Sequence, residues 1–349
     1  MRHLSDSGLR RLQSVLGEPD LSGTKYELQE RIGAGGMATV YRGCDKELNR
    51  VVAIKVVSLL DASGELSRRM LHEARIVAQL EHPGVVPIHD VGQLPDGRAF
   101  YAMKYVEGKT LESSAIAKLS FADRLRIFLK VCESLAFAHS RGIIHRDLKP
   151  GNIMIGAFGE VLVMDWGIAW AADTAQAEPP ATPNDPIASS RPNGTALGTV
   201  IGTPAFMSPE QARGEVHRID ARSDIYSLGA VLYFLLTGRA PFGGPDGIVI
   251  REQVVGGSFK PPRQLNRSIS RALEAVCLKA MARNPEMRYA TVIQLAADIA
   301  AFLDGREVSA YRENLFERFW RWANRNKVIV LIVIGYMVIR SIIYFFLGS

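Results

Sequence analysis

The sequence predicts an α+β fold in two lobes: a small β-rich lobe with one helix, then a larger helical lobe. A C-terminal membrane-crossing helix follows. Three observations predict this. β-rich runs separated by glycines crowd between Tyr26 and Val106, and apolar residues at helical spacing dominate after Gly108. Twenty almost uninterrupted apolar residues run from Val328 to Leu347.

Residues 1–25 are polar, with Leu4, Leu9, Leu12 and Leu16 in loose helical spacing. A short helix fits them, and no function can be read from it. The N-terminus lacks the apolar centre of a signal peptide. Strand patterns then cover Tyr26–Ile32, Thr39–Arg42 and Val51–Val57. Glu65–Leu80 reads as a helix, and Val85–Val91 and Ala99–Val106 read as strands. In the second lobe the helices are Phe121–Ser140, Ser223–Leu236, Ile269–Ala282 and Thr291–Leu303. Between Trp170 and Gly198 lies a stretch rich in Ala, Pro, Ser, Thr and Asn, with little that can be buried. It reads as a flexible insertion.

The expected layout is an extension over 1–25 and a folded domain over 26–303. Within the domain the small lobe is 26–103, the connection 104–108 and the large lobe 109–303. A basic, aromatic segment follows over 304–327, and then the span over 328–347. At helical rise the span covers about 30 Å, the hydrocarbon thickness of a bilayer. Its one charge, Arg340, costs about 3 kcal/mol at a bilayer centre. It stands off-centre, about 10 Å from the end, where it can snorkel. Arg312, Arg318, Arg321, Arg325 and Lys327 precede the span, with Phe319, Trp320 and Trp322 among them. That order puts the folded domain on the cytoplasmic side of the cell (inner) membrane, as a single-pass protein. Only Gly348 and Ser349 follow. Two readings stay open: an anchored chain without an outer sensor domain, or part of a longer protein. Gly335 allows close helix contact and so a homodimer, on the weak signal of one glycine.

The chain has 349 residues, 47% of them apolar, and a net charge of +6. No basic run is interleaved with aromatics along the folded region, which argues against nucleic-acid binding. Cys44, Cys132 and Cys277 are far apart and odd in number. They form neither a zinc pattern nor a disulfide framework, and a reducing cytosol suits them.

The most informative run is His145-Arg146-Asp147-Leu148-Lys149-Pro150-Gly151-Asn152. Asp147 can orient a hydroxyl and accept its proton. Asn152 can hold a metal, and Lys149 can offset charge on a transferring phosphoryl group. Gly33-Ala34-Gly35-Gly36-Met37-Ala38-Thr39-Val40 lies between two strands, where glycines let backbone amides approach phosphate. A dinucleotide-binding turn would lead into a helix, but here a strand continues.

On these runs the chain resembles the eukaryotic-like (Hanks-type) bacterial serine/threonine protein kinases over about residues 26–303. Lys149, two residues after Asp147, marks the serine/threonine branch. The resemblance implies the bilobal protein kinase fold, with Mg²⁺-ATP, or Mn²⁺ in place of Mg²⁺, between the lobes and protein substrates. It implies that Lys55, ending Val52-Ala53-Ile54-Lys55, contacts the phosphates and is held by Glu73. Alone, Glu73 reads as a solvated helix charge. Ile32 to Met37 and Val40 close over the nucleotide, and Ala53 and Met154 sandwich the ring. Met103 lines the back of the pocket. The backbone of Lys104 and Val106 bonds adenine. Asp165, in Asp165-Trp166-Gly167, ligates metal with Asn152. Trp166 stands where the family has Phe, and Ala38 replaces its third glycine.

By the same resemblance, Glu210 in Ser208-Pro209-Glu210 pairs with Arg288, and Asp224 braces the catalytic loop. Arg146 can take a phosphate on the 46-residue segment Asp165–Glu210, with Thr199 the first candidate and Thr195 the second. Thr203 touches Asp147 and Lys149 and favours a hydroxyl substrate. The alternative is a membrane-anchored pseudokinase or scaffold, against which Lys55, Asp147 and Asp165 all stand. A small-molecule phosphotransferase is disfavoured by Thr203 and Ser208-Pro209-Glu210, which build a platform for protein substrates.

Overall fold

Val52, Ile54 and Val56 point to one face of their strand and Ala53 and Val57 to the other, and all are buried. A strand apolar on both faces belongs at the centre of a sheet with cover on both sides. The computed structural model, which describes residues 18–35, 38–57, 64–166, 204–313, 318 and 326–347, has it there. β1 (Tyr26–Ala34), β2 (Ala38–Asp45), β3 (Arg50–Val57), β4 (Ile88–Gln93) and β5 (Ala99–Lys104) form one antiparallel sheet, ordered β1-β2-β3-β5-β4. One face packs Val52, Ile54 and Val56 with Leu21, Tyr26, Leu94, Phe100 and Ala102. The other packs Ala53, Val57, Tyr101 and Met103 with Met70 and Ala74 of helix α1 (Glu65–Ala78).

The expected strand Val85–Val91 is split. Pro87 has no N–H to give a ladder. Val85 bridges Val163, Lys104 N donates to Pro87 O, and the strand starts only at Ile88. The chain also joins this lobe before Tyr26, since Leu21 is buried and Arg98 Nη2 donates to Glu18 O.

The large lobe is built on α2 (Phe121–Ser140), α3 (Pro209–Arg213) and α4 (Ala221–Thr237). α5 (Gly247–Gly256), α6 (Pro262–Leu265), α7 (Arg271–Ala280) and α8 (Val292–Leu303) complete it. α4 is buried almost all round, and Ser120, Asp220, Asp246, Ser270 and Thr291 cap their helices with side-chain oxygens. The sequence reading missed α5. It also missed a small sheet of β6 (Gly108–Thr110), β7 (Ile153–Gly156) and β8 (Val161–Val163) on the cleft side.

The lobe does not stop at Leu303. Val308 is buried, and Asp298 Oδ1 and Oδ2 accept from Ser309 N, Ser309 Oγ and Ala310 N as well as from Tyr289 Oη. Beyond it, α9 (Lys327–Leu347) covers the expected span. Its apolar side chains include Val328 at 70% exposure and Tyr344 at 82%. Among the described residues, no helix is long and apolar enough to cross a membrane. The side chains at 327, 329, 342 and 345–347 lie outside that set.

Candidate active site

The cleft between the lobes collects ionisable groups from five segments. Lys55 on β3 points at α1, where its Nζ lies 3.5 Å from Glu73 Oε1. The same Nζ donates to Asp165 Oδ1 at 3.0 Å and lies 5.5 Å from the centre of the Tyr101 ring. Burial alone would lower the pKa of Lys55. The charges of Tyr101, Asp165 and Glu73 outweigh it and hold the ammonium well above its ordinary value. Lys55, against burial, holds the Asp165 carboxyl low. Burial pushes Glu73 up, with Lys55 opposing. Glu73 is therefore no solvated helix charge.

The catalytic loop is held from below. Asp224 on α4, fully buried, accepts from His145 N at 2.8 Å, Arg146 N at 2.9 Å and His139 Nε2 at 2.7 Å. Burial raises the Asp224 carboxyl, but these bonds win and its pKa is lowered. Burial lowers that of His145. A neutral His145 fits its partners, with Nε2 donating to Met164 O and Nδ1 accepting from Asp147 N. The clamp carries Arg146 at φ +69°, a conformation rare outside glycine. Asp165 stands at φ +50°.

Asp147 is fixed by its neighbours in sequence. Lys149 Nζ donates to its Oδ2 at 2.8 Å. Asn152 Nδ2 donates to its backbone O at 2.8 Å and to Oδ2 at 3.1 Å. Both bonds to the side chain fall on Oδ2, which leaves Oδ1 for a ligand. The amide protons of Asn152 face Asp147, which leaves Asn152 Oδ1. With the remaining oxygen of Asp165 this is a hard-oxygen donor set of the kind Mg²⁺ takes. Among the described residues, no group of three His, Cys, Asp or Glu could hold a metal.

Ala53, Met103 and Val106 are buried at the cleft, Val40 and Met154 are half-buried, and Ile32 is exposed. Gly33 pairs with Val40 and Ala34 with Thr39, and Gly35 N donates to Ala38 O across the turn. Lys104 can serve a ring with its carbonyl alone, since its N–H already goes to Pro87. Gly36, Met37, Thr195, Thr199 and Thr203 lie outside the described residues.

Glu210 and Arg288 meet far from the cleft in a two-bond pair of 2.7 and 2.9 Å. Trp166 is 1% exposed, stacked on His145 with centroids 4.8 Å apart, in one core cluster with Val77 of α1. Its indole nitrogen has no hydrogen-bond partner among the described residues. Three supporting residues escaped the sequence reading. His139 braces Asp224, Ser223 Oγ donates to Glu210 Oε1, and Gln211 Nε2 donates to Arg146 O at 2.7 Å. Only Gln211 left a readable signal, the capping box Ser208-x-x-Gln211.

A lysine poised between two carboxylates, opposite a clamped Asp-Lys-Asn loop, is the arrangement of one superfamily. The chain matches the protein kinase domain over residues 26–298. This chain belongs to the protein kinase domain family. Among its relatives, serine/threonine-protein kinase PknB of Mycolicibacterium smegmatis is 40% identical over 293 residues, covering 82% of this chain and 44% of that protein. PknB of Mycobacterium leprae is 39% identical over 299 residues, 84% of this chain and 45% of that one. The chain thus spans less than half the length of the curated relatives it matches. The solved PknI kinase domain of Mycobacterium tuberculosis shares the fold, with a TM-score of 0.58 at 23% identity over 79% of this chain and 95% of that one. The bilobal kinase fold and its serine/threonine lineage follow. A protein kinase domain implies ATP, a divalent metal and protein substrates in general terms.

Proposed function

We propose that this chain is a serine/threonine protein kinase that transfers the γ-phosphoryl group of ATP to protein hydroxyls, phosphorylates its own activation segment, and works anchored in the cell membrane. The observation that carries the catalytic part is the convergence of Lys55, Glu73 and Asp165 with Asp147, Lys149 and Asn152 in one cleft.

Lys55, kept charged and aimed by Glu73, takes the phosphates of ATP. Lys104 O and Val106 N bond the adenine between Ala53, Val40 and Met154. Asp147 Oδ1 receives the substrate hydroxyl and accepts its proton as the new oxygen–phosphorus bond forms and the bond from the γ-phosphorus to the β,γ-bridging oxygen breaks, releasing ADP. Lys149 offsets charge on the moving group. Asn152 and Asp165 are the residues that would hold Mg²⁺, or Mn²⁺, which would neutralise phosphate charge. The transfer has a loose transition state, so positioning and electrostatics supply most of the acceleration.

Arg146 supports the autophosphorylation reading, because its buried Nη1 has no hydrogen-bond partner among the described residues. A phosphate on Thr199, or on Thr195, gives it one. Thr199→Ala then lowers activity and removes phosphate from one peptide. The run Val328–Leu347 behind its basic and aromatic flank supports the anchor.

The test is incubation with Mg²⁺ and γ-labelled ATP, beside Asp147→Asn, with the label mapped by mass spectrometry. Label that appears on Thr199 or nearby hydroxyls and is lost in the variant supports the kinase. ATP binding without label in either chain favours a pseudokinase, the reading that the departures at Trp166 and Ala38 leave standing.

A further inference from the structure

Glu112 lies at the mouth of the cleft, and the mechanism above has no use for it. Its position is set by the small sheet. Thr110 pairs with Met154, Leu111 N donates to Ile153 O at 2.9 Å, and the Leu111 side chain is buried in the core. β6 ends at Thr110 in a turn closed by Ser113 N donating to Thr110 O at 3.0 Å, and in that turn Leu111 is buried while Glu112 is exposed. It arrives over the end of the catalytic loop. A Cβ added at Gly151 would meet Glu112 Oε1 at 3.3 Å and Oε2 at 3.4 Å. Gly151 has no positive φ, so its backbone does not require a glycine. What the missing side chain leaves there is room for this carboxylate.

The charges nearby are already committed. Lys149 goes to Asp147, and Lys55 goes to Glu73 and Asp165. Glu112 is exposed and makes no ion pair or hydrogen bond among the described residues. A carboxylate left without a cation, held by the turn after β6 beside Gly151, four residues along the loop from Asp147, faces whatever carries the acceptor hydroxyl.

We infer that Glu112 is a specificity-determining residue that selects protein substrates with a lysine or arginine near the acceptor, on the side lying over Gly151. The inference rests on the kinase reading above. An exposed ion pair of this kind sets the scale at about fivefold in rate.

The experiment uses the full chain with Mg²⁺ and labelled ATP on arrayed serine and threonine peptides. Each flanking position is occupied in turn by arginine, alanine or glutamate. At one position the wild-type chain labels the arginine peptide about fivefold faster than the glutamate peptide. Glu112→Ala brings that ratio close to one, and Glu112→Lys reverses it. A reversed preference cannot arise from a damaged fold. Labelled peptides with no charge preference, or with the same preference in wild type and Glu112→Lys, overturn the inference alone. No label on any peptide with any chain, autophosphorylation included, overturns the kinase reading and the inference with it.

Discussion

Arg288 meets Glu210 through two parallel bonds, at 0% and 2% side-chain exposure, with Ser223 Oγ, Ala282 O and Arg222 O filling the remaining positions. Lys55 meets Glu73 at 3.5 Å through one contact, shared with an Asp165 side chain that is 41% exposed. Both pair a cation with carboxylate. The first is saturated: every bond it makes serves the packing of the large lobe. The second is loose, spans two lobes, and keeps a donor-rich ammonium within reach of a ligand. A pair that has to hold a fold is closed by its neighbours, and one that has to meet a substrate is left incomplete.

Removing one partner of the saturated pair has the largest expected effect. Arg288→Ala leaves the Glu210 carboxylate buried with Ser223 Oγ and costs about 3–5 kcal/mol, read in a denaturant melt. Lys55→Ala tests the other side. It lowers the turnover of labelled ATP by about 10²–10³-fold and reduces folding stability less than Arg288→Ala does. The reverse ranking of the two in a melt would break the comparison.

Acid sharpens it. The side chain of Glu210 is buried, which raises its pKa, but Arg288 and Ser223 lower it further, from 4.5 to about 2. The folded value is depressed, so the stability it brings is present above pH 4.5 and is lost as the pH falls toward about 2. Glu210→Gln flattens that part of the acid melt, at the expense of stability at neutral pH. The smallest effect belongs to a pair on the surface. Arg126 and Asp123 lie 2.7 Å apart at 64% and 49% exposure, and Arg126→Ala shifts the melt by about 0.5 kcal/mol or less.

The same contrast decides what the sequence made legible. Asp147, Lys149 and Asn152 lie within six residues of one another, so their spacing alone brings them together. Lys55 and Glu73 were legible as a pair only through the family resemblance, one on a strand and the other on a helix, and their side chains lie 3.5 Å apart. His139 gave no such sign, because what makes it a brace is the approach of α2 to α4, 85 positions apart. β6 and β8 are three residues each, too short for a periodicity to register, although their register sets Met154 at the cleft and the turn after β6 brings Glu112 to Gly151. The split at Pro87 could have been read, since a residue without an N–H interrupts a ladder. Trp166 was legible as a departure but not in its consequence, an indole buried on His145 with no hydrogen-bond partner among the described residues.

Asp298 bears on where a soluble fragment of this protein is cut. A fragment ending at residue 303, where the helical pattern stops, deletes Ser309 and Ala310 and with them three of the four donors to that carboxylate. It also uncovers the ground beneath Val308. A fragment carried to residue 311 keeps both. The choice between eight residues more or less separates a domain that ends on a satisfied acid from one whose acid keeps a single donor, Tyr289 Oη.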